Sequence, residues 1–112
     1  MPFLSKLFSA FSKVDTISTK ELEDLLQSHP KTQVLDVRTR VEFQEGHIKN
    51  ARNVPVDTIV NYKGIKDQKV YIICHSGIRS RRASQKLRDK GYHAIHVKGG
   101  MMAWSGPIVR SH

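Results

Sequence analysis

Apolar positions along this chain follow two rhythms, one helical and one strand-like, and from residue 15 onward they alternate. Ser18 and Glu21 have capping-box spacing, and Leu22, Leu25 and Leu26 form an apolar face behind them, which predicts a helix. His29-Pro30 closes it, because a residue before proline avoids the α region. Val34 to Val37 reads as a short buried strand, and Val41 to Gln44 as a turn of helix closed by Gly46. A brief strand at Asn53-Val54 runs into Pro55, which suits the first turn of a helix over Val56 to Val60. Val70 to Ile73 carries the strongest strand pattern, an apolar, β-branched run between polar residues. Ser80 to Lys90 predicts a helix ended by Gly91. Ala94 to Val97 predicts another strand, followed by Gly99-Gly100 and a short helix containing Trp104.

Strands alternating with helices imply an α/β fold with parallel pairing and right-handed crossovers. In open sheets of this kind ligands bind beyond the carboxyl ends of the strands, which directs attention to the loops after Val37, Ile73 and Val97. Residues 15–112 are the length of one domain. Residues 1–14 form a separate amphipathic segment, with Phe3, Leu4, Leu7, Phe8 and Phe11 at helical spacing. The favoured role for that segment is to cover part of the domain's core or a partner subunit. Membrane-surface contact through residues 3–11 ranks second.

Composition narrows the setting. Lys and Arg number 19 against 10 Asp and Glu, a formal net charge of +9, which favours anionic partners without choosing among them. The single cysteine excludes an internal disulfide, and no apolar run is long enough to span a bilayer, so a cytoplasmic setting is expected. Neither Cys-x-x-Cys nor His-Glu-x-x-His spacing occurs, so no metal and no other cofactor is expected.

That one cysteine, Cys74, directly follows the Val70–Ile73 strand and opens the loop Cys74-His75-Ser76-Gly77-Ile78-Arg79, which leads into the helix near Ser80. A helix N-terminus presents free backbone N–H groups and partial positive charge, which favour a thiolate over a thiol. Gly77 lets the loop curl into an anion-binding nest, and Arg79 adds a permanent cation. Arg38 and Lys98 follow neighbouring strands and are candidate rim cations; an ion pair of Arg38 with Glu42, four residues on, is favoured over substrate contact.

Cys74-His75-Ser76-Gly77-Ile78-Arg79-Ser80 resembles the active-site loop of the rhodanese superfamily. The resemblance extends to Leu35-Asp36-Val37-Arg38, Glu42-Phe43, Gly46-His47-Ile48, Ala51 to Pro55, and Val97-Lys98-Gly99-Gly100 with Trp104, in the family's order over about residues 16 to 106. It implies a three-layer α/β fold, a central parallel sheet of about five strands flanked by helices. It also implies sulfur transfer: a Cys74 thiolate takes sulfane sulfur from an anionic donor, thiosulfate or a protein persulfide, and passes it to a nucleophilic acceptor. That is covalent catalysis without a metal or organic cofactor. His75, Ser76, Gly77, Ile78, Arg79 and Ser80 would cradle the persulfide, with Arg79 orienting the donor's oxyanion. Thioredoxin or a sulfur-relay protein would serve as thiol acceptor. Asp36, His47, Gly99, Gly100 and Trp104 are expected to be structural. His75 stands where the family often has arginine, and this bears on donor preference.

Three other functions rank lower. A non-catalytic binding or regulatory module would not need the cysteine that this chain keeps. A cysteine-dependent phosphatase or arsenate reductase uses a similar cradle, but the phosphatases place five residues between cysteine and arginine where four lie between Cys74 and Arg79. Nucleic-acid contact through the basic helix lacks an aromatic-interleaved motif.

Overall fold

The computed structural model describes residues 14–111, so the expected amphipathic segment over residues 1–14 lies, but for Val14, outside the described residues. Strand β1 (Thr16–Ser18) leads straight into helix α1 (Thr19–Ser28), where the capping box forms as the sequence suggests. The Ser18 hydroxyl accepts the Glu21 N–H at 3.0 Å, and the Glu21 carboxylate accepts the Ser18 N–H at 3.2 Å. Together they satisfy donors that a bare helix end would leave open. β2 (Gln33–Asp36) is followed by α2 (Arg40–Glu45), which carries a second capping box between Thr39 and Glu42.

β3 (Arg52–Asn53) then gives way at Pro55 to a helix over Val56–Asn61, where one is predicted over Val56 to Val60, and it is 3₁₀ in form. Pro55 is fixed in an extended conformation just before the first turn, and so short a segment closes on i→i+3 bonds. β4 (Lys69–Ile73) precedes helix α3 (Ile78–Asp89), which starts two residues before Ser80 because Gly77 takes the cap position. β5 (His93–Lys98) and the short helix α4 (Gly100–Ala103) complete the chain, with Trp104 capping α4 rather than lying within it.

All five strands pair in parallel, in the order β1-β5-β4-β2-β3. The edge strand β1 has too few residues to show a periodicity of its own; it is held by pairing Thr16, Ile17 and Ser18 with His96, Val97 and Lys98. Side chains alternate across the sheet and build two cores. On one face Leu35, Val70, Ile72 and Ala94 pack with Ala83 and Leu87 of α3 and with Ile59 of the 3₁₀ helix. On the other, Val34, Tyr71, Ile73, Ile95 and Val97 pack against Leu22 of α1. The result is three layers. Leu22, Ile59, Ile72 and Leu87 are fully buried, and each contributes about 1.5–3 kcal/mol relative to exposure.

Because β2, β4 and β5 run the same way and lie side by side, the loops after Val37, Ile73 and Val97 gather at one edge of the sheet.

Candidate active site

Cys74 is fully buried where β4 ends. Its Sγ accepts the Gly77 N–H at 3.0 Å and lies 3.3 Å from the Ser80 Oγ. Gly77 adopts φ 106°, ψ −10°, a left-handed conformation that turns its N–H back on the sulfur while opening α3. The two groups nearest the sulfur are therefore a backbone donor and a hydroxyl, both suited to an anion at the head of a helix.

The loop is clamped from behind by α4. Met101 N–H donates to the Cys74 carbonyl at 2.8 Å, and Met102 N–H donates to the His75 carbonyl at 2.9 Å. The approach requires glycine at position 100: its φ is +59°, and a Cβ there would stand 2.4 Å from the Cys74 carbonyl oxygen. The side chains of His75, Ser76 and Ile78 face solvent, and Ile78 is 73% exposed.

Two of the cations singled out in the sequence are already engaged. The Arg79 guanidinium makes a two-pronged ion pair with Glu42 of α2, at 2.7 and 3.0 Å. Chiefly through its hydrogen bond to Arg79, Glu42 titrates far below its ordinary 4.5, at about 2, and burial opposes the drop only in part. The same bond raises Arg79 further above its already high value, with a smaller contribution from the nearby Cys74.

The expected Arg38–Glu42 pair does not form, although Arg38 borders a cleft with Glu42, Gly46, His75 and Met101. Its side chain is buried and turned the other way: Nη2 donates to Asp36 at 2.7 Å and to the Gly46 carbonyl at 2.7 Å. The fully buried Asp36 carboxylate would be uncompensated without it, and that desolvation cost outweighs a pairing with the exposed end of α2. Asp36 also accepts the Arg38 N–H at 3.1 Å, and His47 Nδ1 sits 2.7 Å from the Phe43 carbonyl. Lys98 is exposed and lines a cleft on the far side of the loop with Ser76, Gly77, Arg81, Arg82 and His96.

His96 is the residue that motif reading passed over. It is buried, and its Nδ1 lies 2.9 Å from the Ser80 Oγ, one hydroxyl away from the sulfur. Strand parity carries the signal: His96 pairs with Ile72, two residues before Cys74, and alternates with Ala94 toward the α3 face. Burial, and then the charge of Arg81, hold its pKa below the usual 6.5. Among the described residues no cluster of His, Cys, Asp or Glu is arranged to hold a metal ion, and no helix is long and apolar enough to cross a membrane.

A model of the rhodanese-like domain matches residues 18–107. The chain is 39% identical over 89 residues to an uncharacterized protein, YqhL, of Bacillus subtilis, covering 77% of this chain and 71% of that one. It is 32% identical over 96 residues to the putative sulfurtransferase YtwF of the same organism, covering 84% and 93%. Of solved structures, a rhodanese-like domain protein from Staphylococcus aureus superposes with a TM-score of 0.83 at 34% identity, covering 88% of this chain and 100% of that one. Other relatives are longer, and this chain spans 25% and 53% of two of them.

Proposed function

Because the chain belongs to the rhodanese-like domain family, we propose that it transfers sulfur, with Cys74 as the carrier between an anionic sulfane-sulfur donor and a thiol acceptor. The Cys74 thiolate attacks the outer sulfur of thiosulfate or of a protein persulfide. The donor's S–S bond breaks, its electron pair leaves with sulfite or the donor thiolate, and Cys74 holds the persulfide. An acceptor thiolate then attacks the outer persulfide sulfur and releases the Cys74 thiolate. No net redox change and no cofactor is required.

The observation that carries this reading is the fully buried Sγ held by the Gly77 N–H at 3.0 Å at the head of α3. The N–H pre-orients the nucleophile, and the helix terminus opposes the development of negative charge least at that point. Sulfur transfer is also the activity in the names of several relatives, among them a putative sulfurtransferase and a putative sulfur carrier protein. Arg79 enters the proposal as a cation whose charge Glu42 offsets until a donor's oxyanion competes for it.

Intact-protein mass spectrometry tests the proposal. Incubation with thiosulfate, or with a persulfidated protein, should add one sulfur atom to the chain. A thiol acceptor should remove it, and Cys74→Ser should abolish both events while leaving the far-UV spectrum unchanged. A Cys74→Ser protein that still transfers sulfur would refute the role of Cys74, and a wild type loaded by neither donor would refute sulfur transfer.

A further inference from the structure

We infer that His96 is a positioning residue for the Cys74 nucleophile, acting through Ser80 as a relay that carries the thiol proton to the cleft behind the loop. The inference rests on the reading of Cys74 as the nucleophile, but no sulfur donor enters it.

The geometry is a continuous chain. Cys74 Sγ lies 3.3 Å from Ser80 Oγ, and Ser80 Oγ lies 2.9 Å from His96 Nδ1. Ser80 is itself fully buried, so its hydroxyl exchanges protons only with the groups around it. These are the sulfur, His96 and the Gly77 carbonyl at 3.2 Å. The imidazole also borders the cleft formed with Arg81, Lys98 and Gly99, which is open to solvent.

A hydroxyl has one proton to give, and this fixes the order of events. In the thiol state S–H donates to Ser80 Oγ, and Ser80 O–H donates to Nδ1 of a neutral imidazole protonated at Nε2. On ionisation the thiol proton moves to Ser80 Oγ, the Ser80 proton moves to Nδ1, and the Nε2 proton leaves to water in the cleft. The products are a thiolate and a neutral His96 protonated at Nδ1. The bonds then run the opposite way, with Nδ1–H donating to Ser80 Oγ and Ser80 O–H donating to the sulfur beside the Gly77 N–H. Every buried donor is satisfied before and after, and one proton is released.

The groups that face His96 suit a relay rather than a resident cation. Arg81 and Arg82 from α3 and Lys98 from β5 line the same cleft, and all three are cationic. From the β1 side the Asp15 carbonyl accepts the His96 N–H at 2.8 Å, while the Asp15 carboxylate is turned to Arg88 at 3.6 Å and His93 at 3.7 Å. Burial and Arg81 keep the ring neutral near pH 7, so it can take a proton on one nitrogen as it yields one from the other.

The experiment follows the imidazole nitrogens of His96 by ¹⁵N NMR in the full chain while Cys74 is titrated, with iodoacetamide alkylation of Cys74 measured in parallel. The expected result is a switch of His96 from the Nε2–H to the Nδ1–H tautomer over the pH range in which alkylation accelerates. In the carbamidomethylated protein, which has no thiolate, the Nε2–H form should persist. His96→Asn, which can hydrogen-bond to Ser80 but cannot relay a proton, should alkylate about tenfold more slowly at mildly acidic pH. A single His96 tautomer on both sides of Cys74 ionisation would overturn the inference. So would a folded His96→Asn protein with the wild-type alkylation profile. The NMR arm stands on the wild-type chain alone, and a protein that alkylates as expected but carries no sulfur separates this inference from the proposed function.

Discussion

Glu42 is the position at which a single substitution reports most about the site, because its carboxylate both caps α2 and pairs with Arg79, whose charge is felt by Cys74. In Glu42→Gln the amide oxygen can still accept the Thr39 N–H, so the capping bond survives and only the charge is lost. The depression of Glu42 from 4.5 to about 2 would correspond to about 3 kcal/mol if it were wholly realised as stability, at about 1.4 kcal/mol per unit. Both side chains are about a third exposed, at 35% and 33%, and solvent screening reduces the expected contribution to about 1 kcal/mol. The sign follows from the depressed value: the unfolded chain takes up the proton first as pH falls. The contribution is therefore complete above about pH 4.5 and lost progressively toward pH 2. Urea unfolding of both proteins across this range should show wild type about 1 kcal/mol more stable near neutrality, with the gap closing in acid. Freed from Glu42, Arg79 should also lower KM for an anionic donor. A gap that persists unchanged at low pH would refute the ion-pair reasoning, and an unchanged KM would refute the idea that Glu42 offsets the charge of Arg79.

Two further substitutions probe the scaffold. Gly100→Ala places a methyl group 2.4 Å from the Cys74 carbonyl oxygen at φ +59°; it should destabilise the fold by about 1–3 kcal/mol and slow alkylation of Cys74, and a fully stable variant with wild-type alkylation would refute the clamp. Asp36→Ala leaves the buried Arg38 guanidinium without its 2.7 Å partner and should cost about 3–5 kcal/mol in urea unfolding, a loss below about 1 kcal/mol showing that the pair relaxes into solvent.

The sequence made the central strands and the Cys74 loop legible for physical reasons that can be named. Val70 to Ile73 is buried on both faces, so its apolar run is continuous, and the residues just beyond it must lie at the ligand-binding edge of a parallel sheet. The box of Ser18 and Glu21 is local, and local chemistry reads directly. What escaped depends on distant partners. β1 is a strand only because β5 offers it an edge. Arg38 has Glu42 four residues ahead but chooses Asp36, two residues behind it, because Asp36 is buried and Glu42 is not. Glu42 in turn meets Arg79, 37 positions along the chain. His96 sits in an ordinary-looking strand, and its nearness to the sulfur follows only from register and parity across β4 and β5.

The clamp from α4 divides the labour within the loop. With the Cys74 and His75 carbonyls drawn toward Met101 and Met102, the trans peptide planes turn the N–H groups of His75 and Ser76 the opposite way, away from α4. The backbone donors of the loop are thus set by α4, while the side chains of His75, Ser76 and Ile78 stand exposed. Those three positions form a face whose side chains can change without disturbing the backbone bonds that hold the loop.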